Sequence, residues 1–129
     1  YDPDSIVTVG ELKVRFVRGR HYVPAWGVVV EAPNGARLAY TGDTGPSDAV
    51  AEKLRGADLL LVESALNDSK FDDLERGHLT ADEALDMARA SYAPKRRAEL
   101  EAMCRAAGPW AHVAVDGLTM TVDPGPTSD

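Results

Sequence analysis

The run Asp58-Leu59-Leu60-Leu61-Val62-Glu63 constrains the fold more than any other stretch. Its unbroken apolar centre has the pattern of a β-strand covered on both faces, as strands of parallel sheets are. What precedes it completes a unit. Leu38-Ala39-Tyr40 is a short apolar run that ends in Thr41-Gly42-Asp43-Thr44-Gly45. Pro46 and Ser47 then open a helix with Val50, Ala51 and Leu54 on one side and Gly56 at its end. Strand, helix and strand in this order predict an α/β fold with mixed strands, in which Asp58–Glu63 is central and buried.

Upstream, Leu12, Val14 and Phe16 alternate with charged residues, which predicts a half-buried strand over Leu12–Arg18. Pro24 keeps the following segment, Gly19 to Ala25, out of a central strand. Trp26–Ala32 and Ala36–Tyr40 flank Pro33-Asn34-Gly35, and Asn-Gly between apolar runs predicts a hairpin whose second strand delivers Asp43. Downstream, Ser64 to Gly77 is polar and irregular, the mark of a functional or mobile loop. Thr80 and Glu83 have capping-box spacing, with Leu79 placed to staple onto Ala84, so a helix starts just after His78 and continues to Ala90. Ser91-Tyr92-Ala93-Pro94 leads into a second helix bearing Leu100, Met103, Cys104 and Ala107, and a last strand pair is expected over Trp110–Val115 and Leu118–Val122. Residues 1–122 form one domain on this reading and 123–129 a disordered tail.

Composition limits the partners. A net charge of -7 excludes duplex DNA and anionic membrane, which need a basic face, and no apolar run is long enough to span a bilayer. Cys104 is the single cysteine and no signal peptide opens the chain, so a reducing, cytoplasmic setting is expected. The opening Tyr1-Asp2-Pro3-Asp4 lacks an initiator Met, which suggests a processed or cut chain.

His21, Asp43 and His78 are the candidates for chemistry, all at strand ends or helix starts. Imidazole is the commonest metal ligand and a proton carrier near neutral pH, and carboxylates join it around zinc, manganese or iron. Each has a plainer reading as well. Asp43 is by itself an ordinary turn aspartate, His21 a hydrogen-bonded loop residue, and His78 an anion-facing residue at a helix N-terminus. His112 sits in a predicted strand without polar company and reads as structural, and Cys104 reads as core.

Four segments in order carry a family resemblance: His21-Tyr22-Val23-Pro24-Ala25-Trp26-Gly27, Leu38 to Gly45, Asp58 to Glu63, and Gly77-His78-Leu79-Thr80-Ala81-Asp82-Glu83-Ala84. Together they resemble the C-terminal half of metallo-β-lactamase-fold hydrolases, in the ribonuclease Z and cyclic-nucleotide phosphodiesterase branch. The resemblance covers His21 to about Ala90 and implies part of an αββα sandwich with mixed sheets and flanking helices, holding one or two zinc ions. It implies that His21 is a ligand of the first metal, that Asp43 bridges both metals, and that His78 assists at the scissile phosphate. A metal-bound water would attack a phosphodiester or other ester of a small molecule or nucleotide.

Two family features are absent from this chain. The His-x-His-x-Asp-His motif that supplies most ligands does not occur, and Ser91 runs directly to Tyr92-Ala93-Pro94 where the family has a strand ending in a further histidine. Two expectations follow. The chain is a metallo-hydrolase completed by ligands from another segment or partner chain, or it is a non-catalytic remnant that serves as a binding or assembly module. Half a sandwich leaves an apolar sheet face bare, so self-association or association with a complementary half is expected in either case.

Overall fold

The structure, a computed structural model, describes residues 2, 5–72, 75–89, 105–106, 109, 112 and 119–121. It contains one five-stranded sheet in sequence order: β1 (Ile6–Val9), β2 (Leu12–Arg18), β3 (Trp26–Glu31), β4 (Arg37–Tyr40) and β5 (Leu59–Leu61). β1 to β4 pair antiparallel, and β5 pairs parallel to β4. The crossover between those last two strands is α1 (Asp48–Leu54), as the strand–helix–strand pattern requires. A 3-10 turn, Ser69–Phe71, and α2 (Ala81–Arg89) complete the described elements.

Local chemistry sets most of these boundaries. The β3–β4 hairpin closes through Ala32 N to Ala36 O at 2.9 Å, and Asn34 Oδ1 accepts the Ala36 amide at 3.1 Å, which fixes the register that carries Asp43. Ser47 caps α1 by accepting the Val50 amide at 3.3 Å. The capping box of α2 is complete: Thr80 N donates to Glu83 Oε2 at 2.8 Å, and Glu83 N donates to Thr80 Oγ1 at 3.3 Å.

Strand period 2 divides the sheet into two unlike faces. Val17, Val29 and Ala39 lie on one face and form the core with Val50 and Leu54 of α1. Ala57, Leu60 and Met87 pack against that cluster, so both helices contribute to the same side. The other face carries aligned apolar rows, Val7-Val14-Val30-Leu38-Leu59 and Phe16-Val28-Tyr40-Leu61. Val7 is 42% exposed, Tyr40 40% and Leu61 39%, so this face is incompletely covered.

One strand is added to those expected and one expectation is corrected. β1 lies outside the predicted strands: Ile6-Val7-Thr8-Val9 does not alternate cleanly, and its strand character comes from pairing with β2 across Gly10-Glu11. β5 is shorter than Asp58–Glu63 and stands at the edge of the described sheet, with only Leu60 turned toward the core. An unbroken apolar run is compatible with burial on two faces, but one face of β5 meets the helices and Leu61 on the other is exposed. The helix expected around Leu100–Ala107, the two closing strands and the tail lie outside the described residues apart from isolated positions. No helix among the described residues is long and apolar enough to cross a membrane.

Candidate metal centre

The site forms just beyond the C-terminal ends of β4 and β5, the edge where parallel α/β units gather functional groups. Thr41 extends the pairing by donating its amide to Leu61 O at 3.1 Å, and its hydroxyl accepts the Glu63 amide at 3.1 Å. Gly42 follows with φ 61°, and a β-carbon there would run into the Trp26 carbonyl, so no other residue fits this turn. Thr44 is fully buried. Its hydroxyl accepts the Arg20 amide and donates to Gly45 O, each at 3.0 Å, while Gly45 N donates to Arg20 O at 2.7 Å. The loop that presents Asp43 is therefore anchored on both sides of the aspartate.

Asp43, Glu63 and His78 converge, each offering a ligand atom within 4.8 Å of the others. They differ in how far their hydrogen-bonding capacity is already used. The Glu63 side chain is only 8% exposed. Its Oε1 accepts from Thr44 N at 3.2 Å, Leu79 N at 3.2 Å and His78 Nδ1 at 3.1 Å, and its Oε2 accepts from Ala65 N at 2.8 Å. Because a carboxylate only accepts, the facing Nδ1 of His78 carries the proton, and in the neutral ring that leaves the lone pair on Nε2. Asp43 is exposed, and its carboxylate has no hydrogen-bond or ion-pair partner among the described residues. Glu63 is thus committed to holding the protein together, whereas Asp43 is open to a cation.

His21 reaches the same place from the segment between β2 and β3. Its Nε2 stands 3.3 Å from His78 Nε2, and its Nδ1 lies 3.3 Å from both the amide and the carbonyl of Val23. The exposed Tyr22 ring lies beside the pair, 5.1 Å from the ring of His21 and 6.4 Å from that of His78. A separation of 3.3 Å suits a hydrogen bond between the imidazoles. An unpartnered carboxylate beside paired imidazoles is a donor set that fits a divalent metal.

Of the residues singled out in the sequence, the structure brings Asp43 and His78 together and sets His21 against His78, outside the three-residue cluster. His112 is exposed and outside the cluster. Glu63 was missed. The signal was an acid closing the apolar run Leu59–Val62 just as Asp43 follows Leu38–Tyr40. Two acids at the ends of adjacent parallel strands are placed side by side by topology alone.

The His78 loop is secured by a second group of charges. Asp72 Oδ2 accepts the Gly77 and His78 amides at 2.9 and 3.0 Å. Partial burial pushes the Glu83 carboxyl up, yet hydrogen bonds from the Arg76 guanidinium and from Thr80, with the attraction of the Arg76 charge, outweigh it and hold the group below the usual carboxylate range. The folded chain therefore binds fewer protons at Glu83 than the unfolded chain does. The stability this group contributes is complete above the ordinary glutamate value of 4.5 and is lost as the pH falls through the lower folded value. Melting temperature against pH should show the parent's margin over Glu83→Gln shrinking below about pH 4.5; a margin constant through the acid range would contradict this.

A model of the beta-lactamase superfamily domain matches residues 1–98. The chain belongs to the beta-lactamase superfamily. Within that superfamily its sequence is similar to ribonuclease Z proteins, and its fold to a metallo-beta-lactamase fold protein. It is 39% identical over 83 residues to a ribonuclease Z of Metallosphaera sedula, covering 59% of this chain and 28% of that protein. It is 32% identical over 84 residues to the mitochondrial ribonuclease Z 2 of Schizosaccharomyces pombe, covering 64% of this chain and 12% of that protein. Among solved structures, the metallo-beta-lactamase fold protein YhfI of Bacillus subtilis aligns with a TM-score of 0.58 and 25% identity, over 70% of this chain and 37% of that one. The chain thus spans less than two-fifths of each of these superfamily members. Proteins of the superfamily usually bind metal ions, in keeping with the cluster at Asp43.

Proposed function

We propose that this chain carries part of the active site of a metal-dependent hydrolase of phosphodiester bonds, its substrate a small-molecule or nucleotide ester. The observation that supports this most is the convergence of an unpartnered Asp43 with a His78 whose proton is placed by Glu63. Asp43 and His21 are the residues that would hold the metal, with zinc the first choice and manganese or iron the alternatives for a mixed nitrogen and oxygen set. When bound, the metal supplies a water acidified toward neutrality and offsets negative charge on the substrate, which an acidic chain otherwise repels.

The chain's own residues handle position and protons. Glu63 fixes the His78 ring and its tautomer, so that Nε2 is free to take a proton or, once protonated, to give one to a leaving oxygen. The reading is tested by hydrolysis of an activated phosphodiester by the purified chain with zinc or manganese, beside His78→Ala. Metal-stimulated turnover that His78→Ala reduces, with metal binding retained, supports it.

The second reading, a non-catalytic binding or assembly module, is favoured by the incompletely covered apolar face of the sheet. Metal binding with no turnover in the parent would select it. In both readings this face is where the chain associates, with a complementary half or a second copy. Sedimentation should show concentration-dependent association, with binding of a dye for apolar surface that fades as association proceeds. A monomer at high concentration with no dye binding contradicts it. The single cysteine and the acidic balance fit a cytoplasmic setting without duplex DNA or membrane as partner.

A further inference from the structure

Arg76 is the only residue other than glycine among the described residues with a positive φ, 42°. A side chain there is strained and persists only where its surroundings hold it. Its Nη2 stands 2.5 Å from Glu83 Oε2 of α2 and donates to the His78 carbonyl at 3.3 Å. Its Nε lies 3.8 Å from Asp72 Oδ2, the oxygen that accepts the His78 amide. Its own carbonyl lies so close to Gly45 that a β-carbon on that glycine would collide with it, and Gly45 closes the loop that presents Asp43.

The capping of helix α2 does not require this arrangement, because the Thr80–Glu83 box pairs the Thr80 and Glu83 amides without Arg76. A strained backbone and a guanidinium only 18% exposed are both costly, and neither is explained by capping. What they do achieve is to bring one residue against the helix through Glu83, the His78 carbonyl through Nη2, the Asp72 carboxylate at ion-pair distance, and the Asp43 loop at Gly45. We propose that Arg76 is a positioning residue that sets the His78 imidazole against Glu63 and beside Asp43, its backbone and guanidinium together acting as a latch between α2 and the Asp43 loop. The proposal rests on the reading of His78 as the proton carrier, but its test needs neither metal nor turnover.

The tautomer of His78 is read by two-bond ¹H–¹⁵N correlation on the metal-free chain. The parent should show one neutral tautomer with the proton on Nδ1. Arg76→Gly relieves the backbone strain and removes the guanidinium, so the chain should stay folded while His78 passes to a mixture of tautomers. Arg76→Lys keeps the charge without the planar fork and should restore the Nδ1–H form only in part. Should Arg76→Gly fail to fold, Glu83→Gln keeps an acceptor for the Thr80 amide while removing the charge paired with Arg76, and it should shift the tautomer the same way. A His78 that keeps its Nδ1–H tautomer in the folded variants, whatever their melting temperature, would reduce Arg76 to a structural residue and overturn the proposal. Loss of metal binding or hydrolysis in the parent would count against the proposed function and leave this tautomer readout unaffected.

Discussion

Glu63→Ala should unfold at a markedly lower urea concentration than the parent, with the slope of the transition unchanged. Its carboxylate is the common acceptor for the Thr44, Ala65 and Leu79 amides and for His78 Nδ1, and its side chain is only 8% exposed. Removing it leaves the Thr44, Ala65 and Leu79 amides and His78 Nδ1 without their shared acceptor. With each orphaned buried donor costing about 1–3 kcal/mol, and some recovered by water, the loss should reach about 3 kcal/mol or more. Glu63→Gln keeps one acceptor oxygen but turns an amide group toward other donors, so it should fall between the two. A Glu63→Ala chain that unfolds with the parent would mean that these bonds do not tie the β5 end to the His78 loop.

The contrast between Glu63 and the residues flagged in advance shows what a sequence exposes. The Asn34-Gly35 turn, the Ser47 cap and the Thr80–Glu83 box were legible because their hydrogen bonds join residues two to three positions apart. Asp43 and His78 were legible because of the local company they keep, a glycine-flanked turn and a helix start. Glu63 owes its role to Thr41, Thr44, His78 and Leu79, at separations of 15 to 22 residues; its place at the end of an apolar run puts it beside Asp43 but does not announce those partners. The His21–His78 approach spans 57 residues and is equally silent. The same limit explains β5. Leu59-Leu60-Leu61-Val62 would read alike with one face covered or two, and the covering is decided by elements elsewhere in the chain.

Asp43→Ala should abolish metal binding while leaving the fold intact, the reverse of the outcome for Glu63. Asp43 is exposed and its carboxylate has no partner among the described residues, so truncation orphans nothing and should change stability by less than about 0.5 kcal/mol. In the proposed centre this carboxylate is the open oxygen donor of the cluster, and His21, which lies outside the cluster, would not replace it. Binding should also weaken as the pH falls, because imidazole must be unprotonated to coordinate. His112→Ala should alter neither property.

The most direct test is elemental analysis with titration calorimetry on the purified 129-residue chain and on its Asp43→Ala variant. Zinc, manganese or iron retained by the parent, with binding at micromolar concentrations or tighter that Asp43→Ala eliminates, is the expected result. A parent chain that holds no metal at micromolar concentrations would contradict a metal centre built on Asp43.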